Sequence, residues 1–228
     1  MNIVITGCSK GIGLELCKLF CLDNNNTVVG ISRTAVGNEI ITDLGENSVF
    51  FSLQYDLECI TNDFSESILK LIPEVDILIN NAGFLVNKPI EQLSEADFDR
   101  MFNINVKAVF KIIQTLLPYF SKPSHIVNIS SMGGFQGSAK FSGLSLYSSS
   151  KGALNTLTEC LAEEFKDRQI RVNSLSLGAV NTEMLQNAFP GYIAPLQPIE
   201  MAAYIKNFAE NSFHYLNGKI IPVSISTP

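Results

Sequence analysis

Thr6-Gly7-Cys8-Ser9-Lys10-Gly11-Ile12-Gly13 is the stretch on which the reading of this chain turns. It follows an apolar run, Asn2-Ile3-Val4-Ile5, and leads into a helical pattern over 12–22. Gly7 permits a sharp turn between strand and helix. Gly11 lets a ligand approach the backbone, and Gly13 lets the helix pack close to the sheet. The helix N-terminus offers N–H groups and a positive dipole end to an anion such as a pyrophosphate. The spacing is G-x-x-x-G-x-G rather than G-x-G-x-x-G, and a glycine cluster alone is equally what an ordinary turn uses.

Outward from this loop the same alternation continues. Apolar, β-rich runs occur at 2–5, 27–31, 49–53, 75–80, 125–130, 170–176 and 219–225. Helical patterns fill 12–22, 62–72, 95–120, 148–167 and 199–210. Short apolar strands separated by helices predict an α/β fold, a doubly wound parallel sheet of about seven strands with helices on both faces. Repeats, low-complexity tracts and linkers are lacking, so the whole of 1–228 reads as a single domain. Ligands of such sheets bind at the carboxyl ends of the strands, so every site motif should directly follow a strand.

Composition narrows the function. With 46% hydrophobic and 17% charged residues in 228, the chain is globular in character. A net charge of -6 argues against nucleic-acid binding. Lys, Asn, Pro or Glu interrupts each apolar run before membrane-spanning length, and the start lacks the pattern of a signal peptide. Five cysteines at irregular spacing read as reduced thiols of a cytoplasmic protein. The two histidines, His125 and His214, stand apart with no ligand cluster, so no metal site is expected.

The second strand ends at Gly30-Ile31-Ser32-Arg33 without an acidic residue to hold an adenosine ribose. Arg33 and Lys10 instead offer two positive charges where a 2′-phosphate would lie, which favours NADP(H); the plain alternative is two solvated surface charges. Asp56 follows the third strand and suits an adenine amino group and a helix cap equally well. The small residues of Asn80-Asn81-Ala82-Gly83, after the fourth strand, let a loop run beside a flat cofactor. Ser131 follows the fifth.

Tyr147 and Lys151 are four residues apart at the start of a helical pattern and share a face. A free tyrosine, with a pKa of about 10, is a poor acid–base catalyst near neutrality. A neighbouring ammonium should favour the phenolate and lower that value. The phenol could then exchange a proton with a carbonyl or alcohol oxygen, with Ser131 hydrogen-bonded to the same atom. A core tyrosine beside a surface lysine is the alternative.

In this order, Thr6-Gly7-(x)3-Gly11-Ile12-Gly13, Asp56, Asn80-Asn81-Ala82-Gly83, Asn105, Ser131 and Tyr147-(x)3-Lys151 resemble the short-chain dehydrogenase/reductase family over essentially the full length. The resemblance implies a catalytic tetrad of Asn105, Ser131, Tyr147 and Lys151. In it, Asn105 holds a water that relays protons from Lys151, and Lys151 also binds the nicotinamide ribose. It implies NADP(H) contacts at Gly7, Ser9, Lys10, Gly11, Ile12, Gly13, Arg33, Asp56, Leu57, Asn81, Ala82, Gly83, Tyr147, Lys151 and Thr182. The implied activity is hydride transfer between a nicotinamide and a small-molecule carbonyl or secondary alcohol. A 3-oxoacyl thioester is one substrate it admits, with acyl carrier protein as a partner docking near Lys122 and Arg168. Helices 95–120 and 148–167 would build a homodimer or homotetramer, although the stripe of Leu154, Leu157, Leu161 and Phe165 could instead face the sheet. The opposing reading is a non-catalytic NADP(H)-binding sensor or scaffold.

Departures from the family pattern are local. Leu177-Gly178 replaces the frequent Pro-Gly, and the C-terminus lacks the frequent Asp-Gly-Gly. The segment from Ser131 to Tyr147 is longer than in many relatives. Residues 184–198 should form a substrate lid in which Leu185, Phe189, Tyr192, Ile193 and Leu196, with Phe84, Leu85, Met132 and Phe135, make an apolar pocket or simply pack the core.

Overall fold

Seven strands form one sheet in the computed structural model, which describes residues 1–37, 41, 44–61 and 63–225. They are β1 (Asn2–Thr6), β2 (Thr27–Ser32), β3 (Val49–Gln54), β4 (Val75–Asn80), β5 (Phe120–Ser131), β6 (Ile170–Leu177) and β7 (Ile220–Val223). Their order is β3-β2-β1-β4-β5-β6-β7, and every neighbouring pair is parallel. The chain winds outward from β1 to β3, crosses back to β4, and winds the other way. The fork above β1 and β4 is therefore the switch point where a doubly wound sheet opens a crevice.

Successive strand residues point to opposite faces, and each face has its own helices. On one side Ile3, Ile5, Ile77 and Val127 pack against Leu16, Cys17 and Phe20 of α1 (Gly11–Leu22) and Met201, Ile205 and Phe208 of α7 (Pro198–Asn211). On the other, Val4, Val29, Leu78 and Ile126 meet α2 (Asp63–Leu69), α4 (Ala108–Leu116) and α5 (Ser145–Glu164). Each such side chain removed from water stabilises the fold by roughly 1.5–3 kcal/mol. The stripe on α5 faces the sheet: Leu154, Leu161 and Phe165 are buried in this second layer, and Leu157 packs at its margin.

The expected single helix over 95–120 is corrected to three pieces. After α3 (Glu95–Phe102), residues Asn103–Lys107 form a turn of π-helix before α4 begins. The reason is Asn105, which is fully buried and hydrogen-bonded to another segment, and a wider turn accommodates it. Pro118, within the 3₁₀ turn Leu117–Tyr119, ends the helical run, and β5 starts at Phe120 rather than 125. A short helix, α6 (Glu183–Ala188), lies within the expected lid; six residues are too few to leave a period in the sequence. Among the described residues no helix is long and apolar enough to cross a membrane.

Candidate active site

The glycine loop leaves β1 at Gly7, whose φ of 72° is in the left-handed region that other residues avoid. A Cβ on Gly13 would lie 2.2 Å from the Gly7 carbonyl oxygen, so only glycine lets α1 start this close to the strand. Neighbouring strand ends hold the loop. Gly7 N–H donates to the Ile31 carbonyl of β2 at 2.8 Å. The Asn81 amide donates to the carbonyls of Thr6 at 3.0 Å and Gly7 at 3.1 Å. The Thr6 hydroxyl in turn accepts from the N–H groups of Asn81 and Ala82. Asn81 thus braces the loop, and Thr6, absent from the expected site list, is its second brace. The first turn of α1 carries no side-chain cap. Its backbone donors at Gly11 and Ile12 border a cleft of about 740 Å³ at the switch point.

The expected residues converge on this cleft. Its walls include Gly7, Ser9, Lys10, Gly11 and Ile12 from the loop, with Arg33, Asp56 and Leu57 beyond β2 and β3. Asn81, Ala82, Gly83, Ser131, Tyr147, Lys151 and Thr182 complete the convergence; most follow a strand, whereas Tyr147 and Lys151 come from α5. Two do not reach the walls: Gly13 is packed beneath the loop, and Asn105 is wholly buried behind it.

Several contacts differ from those expected. Lys10 and Arg33 border the same cleft, but the Lys10 ammonium already pairs with Glu183 of α6 at 2.5 Å, spanning from glycine loop to lid. That cation holds the Glu183 carboxyl below its ordinary value. Asp56 caps the turn that follows it, accepting from Glu58 N–H at 3.0 Å, while still bordering the cleft. Thr182 caps α6 through Leu185 N–H at 3.3 Å. Of the expected pocket residues, Phe84, Leu85, Met132, Leu185, Phe189 and Tyr192 reach the cleft. Phe135 does not reach it, Ile193 is exposed, and Leu196 packs against the core. Phe141 and Leu144, expected in the pocket wall from the longer segment, do reach the cleft.

Tyr147 sits in the first turn of α5, with the Lys151 ammonium 5.9 Å from its ring centre. Ser131 ends β5 and hydrogen-bonds the phenol. Burial pushes the phenol above its ordinary value, and the Ser131 bond opposes that shift only in part. This corrects the expected lowering: desolvation of the phenolate is the larger effect. Lys151 is 3% exposed and donates to the Ile129 carbonyl at 2.8 Å; burial lowers its pKa to about 8. Asn105 Nδ2 donates to the Phe84 carbonyl and to the Ser150 hydroxyl, both at 2.9 Å, and its Oδ1 accepts from Phe84 N–H at 2.8 Å. Both amide hydrogens are therefore spent on holding the segment after β4 against α5.

The parallel sheet of this order thus carries an uncapped helix start and a serine–phenol pair on one cleft at its switch point. The model of the short chain dehydrogenase family matches residues 1–192, and the chain belongs to that family. It is 30% identical over 189 residues to a cyclopentanol dehydrogenase of Comamonas sp. (strain NCIMB 9872), covering 81% of this chain and 74% of the relative. A short chain dehydrogenase from Burkholderia cenocepacia J2315 in complex with NADP shares the fold, with a TM-score of 0.84 at 24% identity, covering 97% and 95% of the two chains. So does a 3-ketoacyl-(acyl-carrier-protein) reductase from Brucella melitensis complexed with NADH, with a TM-score of 0.83 at 24% identity over 98% and 96%.

Proposed function

We propose that this chain is an NADP(H)-dependent oxidoreductase that interconverts a small carbonyl compound and a secondary alcohol. The single observation that carries the reading is the Ser131–Tyr147 pair opening on the same cleft as the uncapped start of α1. A dinucleotide fits what is there. The free N–H groups of Gly11 and Ile12 suit its pyrophosphate. Arg33 is exposed beyond β2, has no ion-pair partner among the described residues, and suits a 2′-phosphate. The bound nicotinamide supplies or accepts the hydride.

The chain's own residues do the rest. A phenol held above its ordinary pKa stays protonated at neutral pH and is a proton donor, so Tyr147 protonates the carbonyl oxygen during reduction. The Ser131 hydroxyl donates to the same oxygen and stabilises its developing charge. Lys151 supplies positive charge behind the phenol and a proton source at its Nζ. Asn105 acts as a positioning residue, since its amide hydrogens are committed to Phe84 and Ser150.

A second copy of this chain is the partner we assign to the face of α3 and α4. There Phe98 and Phe110 are 46% and 41% exposed and, with Phe102 and Leu157, line a shallow groove. Lys122 and Arg168 lie at the amino ends of β5 and β6, across the sheet from the cleft of the same chain, which gives the carrier-protein reading no support within one chain.

Replacing Tyr147 with Phe tests the reading. NADPH affinity should stand while kcat falls by roughly 10²–10⁴-fold, measured by fluorescence titration and by NADPH absorbance. Unchanged turnover would remove the phenol from the chemistry. NADPH binding with no turnover of any carbonyl or alcohol by the unaltered protein would favour a sensor.

A further inference from the structure

We infer that the substrate is a compact, uncharged ketone or its secondary alcohol, with one reacting oxygen on an apolar body, and that Asn87 sets the size limit. This rests on the oxidoreductase reading and concerns the same cleft.

The argument begins with where charge lies. Among the described residues, the charged side chains bordering the cleft are Lys10, Arg33, Asp56, Lys151 and Glu183. Arg33 and Asp56 follow β2 and β3, on the far side of the switch point from α5. Lys10 and Glu183 satisfy each other. Lys151 donates to the Ile129 carbonyl at the foot of the cleft. The rest of the lining is uncharged, and Phe84, Leu85, Phe141, Leu144, Leu185 and Phe189 are among its apolar members. A carboxylate or phosphate placed among them would lose its water and gain no partner, a cost that a neutral body avoids. The hydroxyls of Ser131 and Tyr147 together serve one oxygen.

Size follows from how the walls are joined. They come from three separate segments: the stretch after β4, the stretch between β5 and α5, and the lid. Asn87 and its neighbour Lys88 together tie all three. Asn87 Nδ2 donates to the Ala188 carbonyl at the end of α6, at 2.8 Å. Lys88 N–H donates to the Gly143 carbonyl at 3.0 Å. Gly143 has a φ of 83°, and a Cβ there would fall 1.9 Å from the side-chain Oδ1 of Asn87, so that side chain packs directly on the Gly143 backbone. Walls bonded to one another bound a chamber, whereas a long acyl chain or a tethered thioester arm needs an open groove.

The test uses three ketones that share a reacting ring: cyclohexanone, 4-oxocyclohexanecarboxylate and 4-phenylcyclohexanone. Each is assayed with NADPH for kcat/KM, and each is titrated onto the NADPH complex with nicotinamide fluorescence and a thermal shift as readouts. Cyclohexanone should exceed the carboxylate by at least about tenfold in kcat/KM and in binding. Asn87→Ala should raise the ratio of phenyl ketone to cyclohexanone roughly tenfold, with NADPH affinity unchanged. Met184→Arg, at a half-exposed position on the rim, should narrow the gap between carboxylate and cyclohexanone. A carboxylate that equals or exceeds cyclohexanone overturns the charge argument, and a ratio unmoved by Asn87→Ala overturns the size argument. If cyclohexanone binds as expected but no ketone is ever reduced, the oxidoreductase reading fails while the chamber assignment stands. If ketones are reduced in the wrong order, the reverse holds.

Discussion

At Tyr147 and Lys151 burial disfavours the charged form of both groups, raising the phenol and lowering the ammonium, and under the proposed function this predicts a pH range. Lys151 is charged below about 8 and loses its proton as the pH rises through that value. If its charge supports the phenol, kcat/KM for reduction should be level below about 8 and fall above it, as a pH–rate profile would record. A profile that stays flat to pH 10 would show that the ammonium is dispensable. Arg33→Ala is the companion test at the dinucleotide end. It should weaken NADPH by roughly 1.5–3 kcal/mol, the worth of a hydrogen bond to a charged group, and leave NADH nearly unchanged in parallel titrations. Equal losses would remove the phosphate assignment. The residue types at these positions were legible in the sequence because spacing places them on one face or after one strand. The Lys10–Glu183 pair was not, since its members lie far apart in the chain and meet only through the fold.

Elements carry their own liabilities, and β5 shows the clearest. His125 is 1% exposed, and its ring nitrogens contact the Ala209 carbonyl at 2.8 Å and the Asn173 amide at 3.0 Å. Since the carbonyl can only accept and the Asn173 Nδ2 can only donate, the ring is neutral, with its proton on Nδ1. Burial lowers its pKa from 6.5 to about 4. A folded-state value below the unfolded one means that the unfolded chain binds the extra proton first. The contribution of the neutral ring is therefore complete above 6.5 and lost as pH falls toward 4, on the order of 3 kcal/mol in all. Denaturant midpoints between pH 7 and 4 should fall more steeply for this protein than for His125→Gln; identical curves would exclude the histidine as the cause. Apolar runs located all seven strands, because buried parallel strands are nearly continuous in hydrophobicity. The break at Asn103–Lys107 escaped, because local propensity continues through it and only the tertiary pull of Phe84 and Ser150 on Asn105 produces the π turn.

For the molecule as a whole, one exposed surface stands out. Phe98 and Phe102 stack with ring centres 4.5 Å apart on α3, and Phe110 lies further along on α4. Water-facing aromatic area of this kind favours association. Phe110→Glu should turn a dimer or tetramer into smaller species in sedimentation velocity, with little change in the far-ultraviolet circular dichroism. A monomer before and after the change would remove α3 and α4 from any interface. The resemblance implied assembly through the helices over 95–120 and 148–167, yet the stripe read on α5 turned inward. A helical period reports that one side is apolar, but it does not say which neighbour covers it.

The order β3-β2-β1-β4-β5-β6-β7 has one more consequence. The glycine loop belongs to the first half of the chain and the phenol to the second, and the halves meet where β4 lies against β5, where α1 packs with α7 and through the Lys10–Glu183 pair. A polypeptide cleaved in the exposed stretch near Asn87 would yield two pieces, each bearing half of the machinery. Recovery of turnover on mixing them would then be a direct assay of strand docking, a means of timing how the two windings of this sheet find each other.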